Sequence, residues 1–158
     1  MLKIDKSDKK ILMILQNNGK ISNTKLAERI SLTAPATLKR VKKLQKSGFI
    51  VGYKAILDKK KLGKGLTCFI ALNLDHHGKR NTGYLIERYL KKLNEIEEIH
   101  LVTGRHDYLI KINLRDVDEL KDFIFEKLTK IEFIHKVETF LSISSITNPN
   151  FKLVNEDD

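Results

Sequence analysis

The chain has 158 residues, a formal net charge of +10, and 41% hydrophobic residues beside 32% charged ones. This balance is typical of a soluble globular protein and excludes a chain that is disordered throughout. No apolar run approaches the roughly 20 residues that a membrane-spanning helix needs, so no membrane partner is expected. A single cysteine, Cys68, and a beginning without the apolar core of a signal peptide predict a cytoplasmic protein.

The positive charge is concentrated in the first third of the chain. Residues 1–63 carry 16 Lys and Arg against 4 Asp and Glu, a net charge of +12. Residues 64–158 carry 14 against 16, a net charge of −2. This division predicts two domains, of which the first has a polyanionic partner.

The basic third has the pattern of three short helices. Ile11, Leu12 and Leu15 recur at helical spacing in the first, which should end near Gly19. A tight turn at Ser31 separates the second helix from the third. The predicted N-caps of the three helices are Ser7 or Asp8, then Ser22 or Asn23, and finally Thr33.

The third helix has two different faces when its residues are placed at 100° intervals. The packing face is predicted to hold Ala34, Thr37, Leu38, Val41 and Leu44. The opposite face presents Pro35, Ala36, Lys39, Lys42, Lys43 and Lys46, with Arg40 on the flank. Small residues near its beginning let a helix enter a groove, and long cations reach phosphates and base edges. A merely solvated face is the alternative, but residues 33–55 contain no acidic residue.

A short helix, a four-residue turn and a basic helix have the spacing of a helix-turn-helix. We therefore expect double-stranded DNA as the partner, with Lys39, Arg40 and Lys43 docking the third helix in the major groove. The full predicted DNA-binding set is Ser22, Asn23, Thr33, Pro35, Ala36, Lys39, Arg40, Lys42, Lys43 and Lys46. Within it, Thr33, Pro35 and Ala36 are placed near base edges.

The rest of the chain alternates strands and helices. The pattern predicts strands at 66–74, 96–103, 108–114 and 137–146, a helix through Ile86 and Leu93, and a second helix at 120–131. This βαββαβ order predicts a ferredoxin-like sandwich with both helices on one face of the sheet. Phe69, Ala71 and Phe140 are expected on the other face, and a second copy of the chain is the simplest cover for it.

Two strings resemble the Lrp/AsnC (leucine-responsive, feast/famine) transcription regulators. The first is Ile21-Ser22-Asn23-x-x-Leu26-Ala27-x-x-Ile30-x-Leu32-Thr33 with Leu38-x-Arg40-Val41-x-x-Leu44-x-x-x-Gly48-Phe49-Ile50. The second, Val102-Thr103-Gly104-Arg105-His106-Asp107-Tyr108, is similar to the family string Val-x-Gly-x-x-Asp-Tyr. The resemblance implies an α+β protein, with an N-terminal helix-turn-helix (winged-helix-like) domain and a C-terminal ferredoxin-like βαββαβ domain. Ser31 departs from the family, which often has glycine there.

The resemblance also implies a domain plan and an assembly. Residues 1–52 would form the DNA-binding domain, 53–65 a strand and hinge linker, 66–148 the sensing and oligomerisation domain, and 149–158 a C-terminal tail. The acidic end of this tail, Asn155-Glu156-Asp157-Asp158, is expected to be frayed. It implies homodimers, with an octamer built as a tetramer of dimers, and an amino-acid effector. The final strand carries Ser142, Ser144 and Ser145 where relatives often have bulkier or acidic residues.

The predicted effector-binding residues are Gly104, Arg105, His106, Asp107 and Tyr108. A glycine turn offers backbone N–H groups to a carboxylate, and Asp107 can meet an α-ammonium group. The alternative is purely structural: Gly104 supplies a positive φ, Asp107 caps the turn, and Tyr108 packs. Both interpretations are open at this point.

Signals of catalysis and of cofactors are missing from the sequence. The loop pair His76-His77 lacks cysteines or carboxylates at metal-ligand spacing, so neither a metal nor another cofactor is predicted. We find no phosphate-binding glycine loop and no nucleophile motif, and expect no enzyme. Two alternatives to a sequence-specific regulator are an architectural protein that coats DNA, and a sensor or enzyme subunit with incidental nucleic-acid binding.

Overall fold

A computed structural model describes residues 4–75, 82–146, 148 and 151–155. The chain divides into two compact units, which are described separately. We call Met1–Ile56 with Thr147–Asp158 the helical unit, and Leu57–Ile146 the sheet unit. His76, His77 and the acidic end of the tail at 156–158 lie outside the described residues.

The helical unit contains the three predicted helices. They are α1 (Lys6–Asn17), α2 (Asn23–Arg29) and α3 (Ala34–Lys46). Ser22 and Thr33 cap α2 and α3 as predicted. Helix α1 begins earlier than expected because Asp5 caps it, accepting a hydrogen bond from the N–H of Asp8, whose carboxylate accepts one from the N–H of Asp5. This reciprocal capping box satisfies two backbone donors, which a Ser7 cap does not.

The core of the helical unit lies where the three helices meet. Ile11, Leu26, Ile30 and Leu44 are buried there. The packing face of α3 is narrower than predicted, because Leu38 is 44% exposed.

The chain after α3 differs from the expected strand. Residues 50–58 form neither helix nor strand in the described structure. A strand requires a neighbouring backbone to pair with, and the described part of the chain supplies none to this segment. Two of its apolar side chains are almost fully open, with Val51 97% and Ile56 95% exposed, whereas Ile50 packs against the cluster of the helical unit.

The described part of the tail, residues 151–155, contacts the rest of the helical unit. The side chain of Val154 packs against the apolar cluster of the helical unit. The amide of Gln16, in the last turn of α1, bonds to the backbone of Leu153 and Val154. A sequence pattern could not indicate this contact, because the partners are 137 and 138 residues apart.

The sheet unit has the predicted ferredoxin-like order. Its elements are β1 (Leu66–Leu74), α4 (Thr82–Leu90), β2 (Ile96–Leu101), β3 (Tyr108–Leu114), α5 (Val117–Asp122), a π-helix (Phe123–Leu128) and β4 (Ile134–Leu141). The strands form one antiparallel sheet in the order β2-β3-β1-β4. Residues Cys68, Ile70 and Leu72 of β1 pack with Ile86, Leu90 and Leu128 from the helical side.

Several boundaries in the sheet unit differ from the predictions. Helix α4 ends at Leu90, before Leu93, and β2 ends at Leu101 instead of 103, while β4 begins at Ile134 instead of 137. The second helix changes from α to π at Phe123, a change that apolar spacing does not reveal. Strand β4 ends at Leu141, so Ser142, Ser144 and Ser145 follow the strand instead of belonging to it. Residues 57–65, counted above as linker, belong to the sheet unit, where Lys59 pairs with Glu97 and Lys64 with Glu119.

The open face of the sheet carries the expected apolar residues. The register places Phe69 beside Phe140, and Ala71 beside Leu109. Phe140 is 47% exposed, whereas the small Ala71 is already covered by its neighbours.

Candidate functional site

The turn between α2 and α3 is fixed by local backbone geometry. Ser31 has a φ of 56°, in the left-handed region that favours glycine. The N–H of Leu32 then donates to the carbonyl of Ala27 at 3.0 Å. The side chain of Asn23 donates to the carbonyl of Ala34 at 2.8 Å. The first bond closes the turn onto α2, and the second ties the beginnings of α2 and α3 together.

The predicted polar residues at the helix beginnings have structural partners. Ser22 Oγ accepts from the N–H of Lys25 at 3.3 Å, and Thr33 Oγ1 accepts from the N–H of Ala36 at 3.4 Å. Pro35 and Ala36 are exposed in the first turn of α3. This end of the helix therefore offers a small, open surface that can approach a groove closely.

Four lysines form one exposed surface along α3. Lys39, Lys42, Lys43 and Lys46 line a shallow groove of about 470 Å³ together with Ser47. Three of them, Lys39, Lys42 and Lys46, make no ion pair with any residue in the described ranges. We call these three the free lysines. Their charges are available to an external anion.

Arg40 has partners inside the unit, which sequence analysis missed. Its Nη1 lies 2.6 Å from Asp5 Oδ2 and 2.8 Å from Asp8 Oδ1, and Asp8 is 0% exposed. Lys43 Nζ lies 3.7 Å from Asp8 Oδ2. The N–H of Asp8 and then the Arg40 guanidinium lower the pKa of Asp5, while its two carboxylate partners raise that of Arg40. Arg40 therefore has a second role inside the unit, the pairing with Asp5 and Asp8, which competes with its predicted contact with DNA.

The turn between β2 and β3 contains the second predicted site. Gly104 has a φ of 122°, so the turn requires a glycine there. The N–H of Val102 donates to the carbonyl of Asp107, and the N–H of Asp107 donates to the carbonyl of Leu72, both at 2.9 Å. Asp107 Oδ2 accepts from the N–H of Leu74 at 2.7 Å. Asp107 therefore anchors the turn to β1.

His106 joins the turn to two neighbouring strands. Its Nδ1 lies 2.9 Å from Asn73 Oδ1, and the Asn73 amide donates to the carbonyl of Arg105 at 2.7 Å. Its Nε2 lies 3.6 Å from Glu138 Oε2. Gly104 and Arg105 remain exposed. The turn thus presents the Gly104–Arg105 backbone and the Arg105 guanidinium to solvent. Asn73 and Glu138 lie beside it, and sequence analysis missed both because they belong to β1 and β4.

Tyr108 is separated from this surface. Only 2% of it is exposed, and its hydroxyl donates to the carbonyl of Gly83 at 3.3 Å. Burial, followed by the nearby Glu87, raises its pKa. Its ring is a core group, which is the structural alternative considered for it above.

Among residues 4–75, 82–146, 148 and 151–155, no group of three His, Cys, Asp or Glu side chains is arranged to hold a metal ion. None of the helices found there is long and apolar enough to cross a membrane.

Each half of the chain matches the model of a known protein domain. Residues 4–51 match a winged helix-turn-helix DNA-binding model, and residues 67–150 match the Lrp/AsnC ligand-binding domain. The leucine-responsive regulatory protein of Rhizobium meliloti is 34% identical over 145 residues, covering 92% of each chain. The protein of the same name from Escherichia coli K12 is 32% identical over 150 residues, covering 93% of this chain and 89% of its own.

Two solved structures extend this agreement to the fold. A transcriptional regulator of Neisseria meningitidis in complex with L-Met has a TM-score of 0.87 at 26% identity, covering 92% of this chain and 94% of its own. Escherichia coli AsnC has a TM-score of 0.82 at 26% identity, covering 93% and 97%. The chain therefore belongs to the Lrp/AsnC family, and is a DNA-binding transcriptional regulator.

Proposed function

We propose that the chain recognises its operators through the exposed face of α3, and that an amino acid at the Gly104 turn adjusts this binding. The observation that carries the first part is the row of free lysines, Lys39, Lys42 and Lys46. They lie along the helix whose small first turn can approach base edges. Phosphates of duplex DNA are the anions that such a row fits.

The salt dependence of DNA binding tests this face. The probe is a duplex from upstream of the chain's own gene, compared with a random duplex of equal length. The slope of log K against log salt is negative, and each lost phosphate contact should reduce its magnitude by about 0.9. We expect this for K39A, K42A and K46A, and an unchanged slope for the control K121A, a lysine of α5. Unchanged slopes in all three α3 variants would contradict the proposed face.

The same probe separates the two DNA-binding hypotheses. A sequence-specific regulator should prefer its operator over the random duplex by about 10³-fold or more at physiological salt. Equal binding of both duplexes would instead favour a protein that coats DNA.

For the effector, we propose a neutral amino acid such as leucine or methionine. Relatives are named leucine-responsive, and the Neisseria regulator was solved with L-Met. The exposed Gly104–Arg105 backbone and the Arg105 guanidinium suit an α-carboxylate. Asp107 already anchors the turn, so we assign it to positioning the site.

Ligand-induced stabilisation tests this assignment. L-Leucine or L-methionine at 100 times its Kd should stabilise the protein by about 2.7 kcal/mol. R105A should abolish the shift, while R115A, which removes an exposed arginine just after β3, should retain it. If R105A keeps the stabilisation, the amino acid binds elsewhere than at this turn.

We further propose that the open sheet face forms a homodimer, and that dimers assemble into an octamer. Phe69 and Phe140 supply its apolar centre. F140D should lower the mass measured by light scattering, whereas F125D, on the exposed π-helix, should leave the dimer intact. If the F140D variant remains dimeric, this interface is contradicted.

The remaining expectations follow from this assignment. Membership of a family of transcriptional regulators supports the expectation that the protein has no enzymatic activity. DNA as the partner supports a cytoplasmic location.

A further inference from the structure

The N-terminus of α1 holds α3 through a charge cluster. Asp5 and Asp8 are the first two acidic residues of the chain, and their carboxylates both lie within 2.8 Å of Arg40 Nη1. Asp5 is half exposed, whereas Asp8 has no exposed side-chain surface. A fully buried carboxylate requires a counter-charge, and Arg40 is the nearest one.

We propose that Arg40 is a positioning residue, which fixes the rotation of α3 against α1 so that the free lysines face outward, and that it is not itself a phosphate contact. The inference rests on the DNA-binding face proposed above. Arg40 lies next to Lys39 in sequence, so it is about 100° away around the helix axis. Holding Arg40 against the beginning of α1 therefore sets the direction of Lys39.

The geometry favours arginine for this task. The two carboxylates of a capping box are already fixed by backbone bonds, so they form a rigid acceptor. A guanidinium is planar and always charged, and it holds its orientation better than a flexible ammonium group. Lys43 lies farther from the same carboxylate, at 3.7 Å, and contributes a weaker attraction.

The charge balance separates the two roles of Arg40. Its charge is compensated by Asp5 and Asp8 before DNA arrives. A compensated cation displaces few counterions from DNA, so its removal should hardly change the salt slope. It should weaken binding at every salt concentration by the same factor, because α3 is no longer held in place.

The test measures operator affinity from low to high salt for R40Q, R40K and K39A. We expect R40Q to lose about tenfold in affinity or more with an unchanged slope and a lower Tm, and R40K to lose less. In K39A the magnitude of the slope should decrease by about 0.9, with an unchanged Tm. The double variant R40Q/D8N removes both the cation and the buried carboxylate, and should regain affinity and Tm relative to R40Q.

A different result would overturn the proposal. If R40Q lowers the slope by about one with its Tm unchanged, and D8N does not rescue it, Arg40 is a phosphate contact. An R40Q protein that fails to fold leaves R40K and the double variant to decide by the same criteria. If K39A also leaves the slope unchanged, the proposed DNA face fails, while the Tm rescue by D8N still reports on the positioning role.

Discussion

The side chain of Gln16 pairs with the backbone of Val154, 138 residues away along the chain. Gln16 Nε2 donates to the Val154 carbonyl at 2.7 Å, and Oε1 accepts from the N–H groups of Leu153 at 2.9 Å and Val154 at 3.3 Å. The amide thus acts as a short length of partner strand. It makes the chain that follows the sheet unit a part of the DNA-binding unit.

Replacing Gln16 by alanine should release this segment. Loss of the bonds should lower the free energy of unfolding by about 1 kcal/mol. Hydrogen exchange at residues 151–155 should become faster. The control is N17A, because Asn17 bonds only to Met13 in its own helix among the bonds observed. Slow exchange at 151–155 in Q16A would show that Val154 packing alone holds the tail.

Ser31 carries a conformational cost at the turn of the helix-turn-helix. With a φ of 56°, it occupies a region where a side chain is disfavoured. We expect S31G to raise the free energy of unfolding by about 1 kcal/mol, because relief of this strain exceeds the added entropy of the unfolded chain. S31A should not stabilise the protein, since alanine keeps the Cβ. Urea unfolding of both variants measures the difference, and equal stability of S31G and S31A would contradict the explanation.

The elements that were predictable from sequence depend on neighbouring residues. Ser22 and Thr33 cap helices through backbone groups three residues ahead, so the pattern alone identifies them. The alternation of β1 likewise predicts its bounds. The strand order follows from the order of elements, because βαββαβ chains have few ways to cover one sheet face.

The contacts that were missed join distant parts of the chain. The charge of Arg40 and its place on the flank of the lysine face predict a contact with DNA. Its partner Asp8 lies 32 residues earlier, and only the packing of α1 brings the two side chains together. Asn73 and Glu138 join His106 through strand register, which composition does not encode. At the turn between β2 and β3, the structural alternative agrees with the positive φ of Gly104, the hydrogen bond that Asp107 accepts from Leu74, and the burial of Tyr108.

Glu97 should make the sheet unit sensitive to acid. It lies at the irregularity between Ile96 and Glu98, where β2 loses its regular pairing with β3. Burial alone would raise its pKa, but hydrogen bonds from Lys59, Asn113 and Lys111 outweigh that effect and lower it from 4.5 to about 2.

The sign of the effect follows from this depressed value. The folded state binds the proton of Glu97 less readily than the unfolded state, so the ionised carboxylate stabilises the fold above pH 4.5. This contribution should decrease as the pH falls from 4.5 toward 2. E97Q should therefore cost roughly 1 kcal/mol at pH 7, after solvent screening of a partly exposed site, and progressively less in acid.

Thermal unfolding of the wild type and E97Q from pH 7 to pH 2.5 measures this convergence. The control is E126Q, which removes the exposed carboxylate that pairs with Lys130 on the surface. We expect a smaller effect from it, because an exposed pair gains little from charge attraction in water. A constant Tm difference between E97Q and the wild type across this range would show that Glu97 stabilises the sheet by packing and not by its charge. In that case Lys59 would have to hold the segment before β1 through its hydrogen bond to Asn113 Oδ1.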